Sequence, residues 1–234
     1  MNDDTVKRLN QINRTFYQIT ANDFDESRSE PWPGWDRLIP QLRAPLAVLD
    51  VGCGNGRFGL FLTQHIKTGL SYHGMDNNQA LLERAQTALS GLDAHLYLRD
   101  IVEQPPDAGE FDLVGVFGVL HHIPGRQQRQ NFVRTLADRV RSGGILALAT
   151  WRFYEYERFR ERITLWSDDL DVEPHDYLLD WRRGDRALRY CHYVDDAEQS
   201  ALIAASGLSE IVTYRADGRT NDINCYSLLR KETP

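Results

Sequence analysis

Cysteine is scarce in this chain of 234 residues, which carries only Cys53, Cys191 and Cys225. Odd in number, far apart and in no ligand-like spacing, they exclude a disulfide framework and give no support to a structural zinc site, so no metal is expected. Long apolar runs are also missing. None approaches the ~18 residues of a membrane span, and the opening MNDDTVKRLN is too polar for a secretory signal peptide. A cytoplasmic location is expected, with no membrane partner. Positive charge is short: 27 Lys and Arg face 34 Asp and Glu, for a net charge of -7. That excludes a protein that grips DNA or RNA through bulk positive charge, though a local basic patch is still allowed; no DNA partner is expected. Lysine itself is nearly absent, occurring at Lys7, Lys67 and Lys231 alone. The other basic residues are arginines, whose planar guanidinium suits phosphate or carboxylate.

What is present is an alternation of short apolar runs and amphipathic stretches. LAVLDV (46–51) reads as a buried strand that ends in a glycine loop. Residues 56–66 read as a helix with Phe58, Leu62 and Ile66 on one face. The same logic gives strands at 70–75, 94–99, 111–118 and 145–150, and helices at 78–89 and 126–140, the latter stopped before Ser142-Gly143-Gly144. This order predicts an α/β fold with a mostly parallel, Rossmann-like sheet and helices on both faces. Residues 195–206 predict a closing helix, and 209–216 with 223–230 an antiparallel hairpin at one end of the sheet. A single domain is expected: an N-terminal helical cap (1–45, with a helix near 5–19), a core (46–150), an insert with a Tyr- and Arg-rich helix (151–193), and the closing segment (194–234).

The chemistry concentrates at the carboxyl ends of the strands, where open α/β sheets bind ligands. LDVGCGNGRFG (49–59) places Gly52, Gly54 and Gly56, with Cys53 and Asn55 between them, at a strand-to-helix turn. Glycines there take positive φ and let a ligand approach the backbone closely, next to unpaired helix N–H groups. The spacing G-x-G-x-G is one residue short of the dinucleotide fingerprint. Asp50 beside it repels a phosphate but accepts a hydrogen bond from an ammonium or an ordered water, so a zwitterionic amino-acid ligand fits better. Asp76 ends the second strand, where an acid accepts from both ribose hydroxyls. Asp100 and Ile101 follow the third strand, offering an acceptor for an adenine amino group and an apolar ring face. Phe117 to His122 follow the fourth.

In this order, VLDVGCGNG, GMD, RD, FDLVGVFGVLHHI and SGGILAL resemble the class I S-adenosylmethionine-dependent methyltransferases over about residues 46–150. The resemblance implies a seven-stranded sheet with its last strand antiparallel, and bound S-adenosylmethionine, with S-adenosylhomocysteine as product. It places the methionine moiety on the 50–56 loop and the ribose on Asp76. The adenine then falls between Asn77 and Ile101 with Asp100 at its edge, and Phe117 beside the sulfonium. The flanks FYQITANDFDESRSEPWPGW (16–35) and RYCHYVDDAE (189–198), with the His121-His122 pair, are similar to the tRNA wobble-uridine carboxymethyl methyltransferases. Asn224-Cys225 stands where that family has Asn-Trp, and its lysine-rich loops are missing here. This narrower resemblance implies a tRNA substrate and a small zinc-binding activator subunit. The alternatives are a small-molecule O- or N-methyltransferase and a non-catalytic cofactor-binding subunit of a heteromeric enzyme.

Methyl transfer is an in-line displacement in which the protein positions the reactants. A carboxylate acceptor needs a cationic anchor, and Arg28, Arg152 and Arg189 are the candidates. A hydroxyl or amine acceptor needs a base or orienter, for which His121 and His122 are placed. Tyr17 and Trp32 are expected to roof the cofactor, stack on a base, or pin the N-terminal segment. Cys53 reads as a small residue that fits the loop, and Tyr154, Tyr156 and Phe159 as packing.

Overall fold

The computed structural model describes residues 1–26, 30–166, 169–182 and 185–233. In chain order the elements are α1 (Asp3–Glu26), β1 (Leu46–Val51), α2 (Arg57–His65), β2 (Leu70–Asp76), α3 (Gln79–Ala88), β3 (Asp93–Leu98), β4 (Phe111–Phe117) and α4 (Arg126–Asp138). There follow β5 (Val140–Trp151), α5 (Glu157–Arg160), β6 (Ile163–Thr164), β7 (Asp176–Trp181), β8 (Ala187–His192), α6 (Asp196–Ser206), β9 (Ser209–Ala216) and β10 (Asn224–Arg230). Short 3-10 turns cover Pro33–Arg37, Ile39–Gln41, Leu120–His122 and Phe153–Glu155.

Seven strands form one sheet in the order β3-β2-β1-β4-β5-β10-β9, with β10 antiparallel to both of its neighbours. The period-2 alternation of each strand divides its side chains between two cores. On β1, Leu46 and Val48 join Phe58, Phe61 and Leu62 of α2 and Leu82 of α3. Leu49 and Val51 face the other way, onto Phe132, Val133 and Leu136 of α4 and Leu202 of α6. β5 repeats the division, with Ala147 and Ala149 on the first side and Leu146 and Leu148 on the second. The α/β reading and the antiparallel strand of the closing hairpin are therefore both present. The strand order reverses at β1/β4, which puts the switch point beside the glycine loop.

Three expectations change. α1 runs to Glu26, beyond the expected end near residue 19. β5 begins at Val140, so the strand starts before the Ser142-Gly143-Gly144 break rather than after it. Among its described residues the insert holds no long helix. α5 is a single turn, and the remainder is an antiparallel sheet ordered β6-β7-β8. The physical reason is a flat apolar face: Phe153, Leu179 and Cys191 form a buried cluster against which Trp151, Phe159 and Ile163 pack, which suits aromatic and branched residues on a pleated surface. α1 packs against β8 of this sheet.

A buried ionic network fastens the insert to the core. Arg129 on α4 donates from Nε to Glu198 Oε1 (2.6 Å) and from Nη2 to Glu173 Oε2 (3.2 Å). His192 lies between Asp176 Oδ1 (2.7 Å) and Glu198 Oε2 (2.6 Å), and Tyr190 donates to the same Asp176 oxygen (2.8 Å). Burial works against the charge on Glu198, but hydrogen bonds from His192 and the Arg129 guanidinium outweigh it and hold its pKa down to about 2. Burial likewise disfavours the His192 imidazolium, but its bonds to Asp176 and Glu198 raise its pKa overall. Glu198 therefore contributes stability in full above the unfolded carboxylate pKa of about 4.3, and loses it as pH falls toward 2. Glu198→Gln should lower the urea midpoint most near neutral pH, the gap from wild type shrinking below about pH 4. Arg129→Ala, which removes a buried guanidinium from two half-buried acids, should cost about 3 kcal/mol in the same titration.

Candidate active site

The glycine loop is built from φ values of +77° at Gly52, +53° at Gly54 and +78° at Gly56. A Cβ at Gly52 would sit 2.3 Å from Val119 Cγ2, so this position has neither the conformation nor the room for a side chain. The loop is tied to the end of β2: Gly52 and Cys53 N–H donate to the Met75 carbonyl (2.8 and 2.9 Å), and Gly54 N–H donates to Asp76 Oδ2 (2.9 Å). The other Asp76 oxygen accepts from Asn78 N–H (2.9 Å). The carboxylate is thus aimed by backbone donors.

Above the loop lies a cavity of about 780 Å³, within the range of small-molecule and cofactor sites. The wall on the glycine-loop side includes Asp50, Gly52, Cys53, Gly54, Asn55, Asp76, Asn77, Ile101 and Phe117. Tyr17, Trp32, His121, His122 and Arg189 also line it. Asp50 is buried and accepts from Tyr72 Oη (2.5 Å). Burial raises its pKa to about 7, with Asp76 adding to the rise and Tyr72 opposing it. Burial raises Asp76 as well, against the backbone donors of Asn78, Gly54 and Asn77.

The N-terminal segment closes the roof. Trp32 stacks on Trp35 (centroids 5.5 Å apart) and approaches Gly118, and Phe117 is held edge-on by Trp35 and Phe58. Gly34 N–H donates to Asp217 Oδ1 (2.7 Å), while Asp217 Oδ2 accepts from Asn224 (2.8 Å) and Tyr226 (2.6 Å). α1 is anchored by Asn78 donating to the Tyr17 carbonyl (2.8 Å) and Asn55 donating to Asp25 (2.8 Å). His122 meets Tyr17 Oη at Nε2 (2.9 Å) and the Tyr190 carbonyl at Nδ1 (3.1 Å). Asn13 Nδ2 also lies 3.2 Å from Nδ1, so the tautomer sets the roles: a proton on Nδ1 donates to the Tyr190 carbonyl and leaves Nε2 to accept from Tyr17, while a proton on Nε2 leaves Nδ1 to accept from Asn13. His121 is buried against His122 and Trp151.

Three expected site residues lie elsewhere and one cannot be placed. Arg152 follows Trp151, which lines the cavity, and turns the opposite way: it is 1% exposed, donates to the Val194 carbonyl (2.8 Å) and pairs with Asp196 (3.0 Å). Asp100 faces α1, bound by Arg14 Nε (2.6 Å) and Asn10 Nδ2 (3.0 Å), instead of the cavity that Ile101 lines. Gly56 serves helix packing, since a Cβ there would lie 3.1 Å from that of Ala85. Arg28 falls outside the described residues. The sequence reading missed Trp151, Trp181, Arg158 and Arg162, and took Phe159 for packing only; all five line the acceptor side. Trp151 alone carried a signal, standing at the end of the fifth strand. Arg189 fits among them, its guanidinium 5.1 Å from the Phe16 ring centroid and 4.8 Å from that of Trp151.

The donor set fits one ligand chemistry. The buried Asp50 and the half-buried Asp76 suit a cation and a pair of hydroxyls, the glycine turn admits a close approach, and Ile101 offers an apolar ring face. Residues 48–144 match a family model described as a methyltransferase domain. With the sheet order and the loop, this identifies residues 48–144 as a methyltransferase domain on a Rossmann-like sheet of the kind that binds S-adenosylmethionine. The chain is 24% identical over 153 residues to the tRNA (carboxymethyluridine(34)-5-O)-methyltransferase of Saccharomyces cerevisiae, covering 64% of this chain and 51% of the relative. It is 26% identical to a putative methyltransferase of Encephalitozoon cuniculi, over 92% of this chain and 93% of that one. A solved S-adenosylmethionine-dependent methyltransferase of Methanosarcina mazei shares the fold with a TM-score of 0.67 at 19% identity, over 88% of this chain and all of that one. The chain spans about half the length, or less, of most of the curated tRNA methyltransferases it matches.

Asp76→Ala should weaken S-adenosylmethionine about tenfold or more by calorimetry, because the ribose loses a charged acceptor; an unchanged dissociation constant would remove the ribose from Asp76. Because Asp50 titrates near pH 7, affinity for the cationic cofactor should fall as pH drops from about 8 to about 6. Asp50→Asn should flatten that dependence.

Proposed function

We propose that the chain methylates the carboxymethyl group of a modified wobble uridine in tRNA, forming the methyl ester. The observation that carries this reading is Arg189. It is 8% exposed, lies against Phe16 and Trp151, and its Nε has no hydrogen-bond partner among the described residues. A guanidinium inside an aromatic box suits a flat base bearing a carboxylate. The relatives named for that reaction support it.

S-adenosylmethionine supplies a sulfonium-bound methyl, which passes to a carboxylate oxygen and leaves S-adenosylhomocysteine. A carboxylate is already a nucleophile, so no residue has to remove a proton. On this reading Asp76 binds the ribose, Asp50 faces the amino-acid end, and Asn77 and Ile101 flank the adenine. Trp32 and Phe117 exclude water, Arg189 holds the acceptor carboxylate, and His122, fixed by Tyr17 and the Tyr190 carbonyl, orients the acceptor side. Such a substrate places the enzyme in the cytoplasm, and a small activator subunit belongs to the same proposal. A small-molecule carboxylate is the second reading, favoured by the net charge of -7 and by the roof that α1 and Trp32 place over the cavity.

The test is incubation with labelled S-adenosylmethionine and tRNA from a strain lacking the gene, with and without extract from that strain, followed by mass spectrometry of the nucleosides. A labelled methyl ester on carboxymethylated uridine is expected. A protein that binds cofactor yet labels no nucleoside under either condition contradicts the tRNA reading. Arg189→Met should lower kcat/KM by at least about 30-fold with cofactor affinity unchanged.

A further inference from the structure

A second concavity of about 750 Å³ lies between the first half of α1 and the β6-β7-β8 sheet. Its charged lining is Arg8 from α1 and Arg162, Arg182 and Arg186 from the insert, set against Asp180. That acid is already engaged, its Oδ2 accepting from Arg182 Nε at 3.1 Å. Four guanidiniums against one carboxylate, among the described residues of the lining, is a local excess of positive charge in a chain of net charge -7. All four are arginine, the side chain whose fork grips a phosphate with two parallel bonds. Between them the floor is apolar, with Ile19 42% and Leu188 44% exposed.

This groove shares a wall with the active-site cavity. Phe16, Arg162 and Asp180 line it and also bound a small recess whose other walls include Trp151, Trp181 and Arg189. Those last three residues line the acceptor side of the main cavity, as Arg162 does. The arginine groove and the aromatic box are therefore neighbours, separated by the side chains of Phe16, Arg162 and Asp180.

We propose that the groove binds the phosphodiester backbone of the RNA strand next to the target nucleotide, while the modified base itself enters the box around Arg189. This rests on the tRNA reading above and names where the polynucleotide runs. Phosphates along a strand are regularly spaced anions joined by sugars, which matches arginines set around an apolar floor. A free small-molecule acceptor would be complete inside the cavity and would make no use of the groove. The arrangement also accounts for the acidic chain: the cationic contact is local, built from arginines on α1 and on the insert, and independent of net charge.

The test is tRNA binding by fluorescence anisotropy between about 50 and 200 mM salt, with cofactor present. The wild type should bind with a clear salt slope. The Arg182→Glu/Arg186→Glu double variant should bind at least about tenfold more weakly, with a slope reduced by about 1.4, or ~0.7 for each lost single-strand phosphate contact. Cofactor affinity and melting temperature should stay at wild-type values. Should the charge reversals disturb folding, Arg8→Gln/Arg186→Gln removes two cations at exposed positions and should show the same direction of change. Wild-type binding and methylation of tRNA, with either folded variant equal to wild type in affinity and slope, overturns the groove and leaves the tRNA reading standing. No salt-dependent tRNA binding by the wild type overturns both.

Discussion

The hydrogen bonds between the glycine turn and the end of β2 are the constraint on which the rest of the site depends. Gly52, Cys53 and Gly54 turn back so that their N–H groups meet the Met75 carbonyl and the Asp76 carboxylate. That contact requires β1 and β2 to be parallel and in register, Asp50 opposite Gly74 and Val51 opposite Met75. It also requires positive φ at Gly52, Gly54 and Gly56. Once made, it fixes the buried Asp50 and the half-buried Asp76 along one wall of the cavity. Their raised pKa values are the cost of holding carboxylates out of water before a cationic ligand arrives.

The other walls come from segments outside the alternating core. α1 spans the strand ends and is bonded to the β2–α3 corner through Asn78 and to the glycine loop through Asn55. The segment around Trp32 is held from the far side of the sheet by Asp217, which adopts φ +68° so that one carboxylate meets Gly34, Asn224 and Tyr226. The insert sheet supplies Trp181 and Arg189 and is fastened through the network of Arg129, Glu198, His192 and Asp176. The glycine-loop wall is thus set by main-chain hydrogen bonds, while the opposite wall takes Trp181 and Arg189 from an added sheet. Changes in the insert can alter the acceptor without disturbing the glycine-loop wall.

The core was legible because strand periodicity and glycine placement are local. Leu46 and Val48 against Leu49 and Val51 already state a sheet buried on both faces, and Asp76 could be placed by its distance from the loop. The insert was not legible in the same way. DYLLDW and ALRYCH are strands, but the aromatic and arginine density before them reads equally as helix, and the flat face formed by Phe153, Leu179 and Cys191 decides it. Arg152 and Arg189 look alike in sequence. Only the pleat at the end of β5 turns the first toward α6, and only β8 carries the second under Trp151. Asp100 reads in sequence equally as an adenine acceptor or as a turn residue; its Oδ1 accepts from Val102 and Glu103 N–H, and the partners of its other oxygen, Asn10 and Arg14, lie about ninety residues away.

The most direct measurement is a crystal structure with S-adenosylhomocysteine and 5-carboxymethyluridine bound together. The account predicts ribose hydroxyls on the Asp76 carboxylate, adenine against Ile101, and the acceptor carboxylate on the Arg189 guanidinium between Phe16 and Trp151. A nucleoside lying away from Asp76, or an acceptor carboxylate held elsewhere with Arg189 untouched, would contradict it.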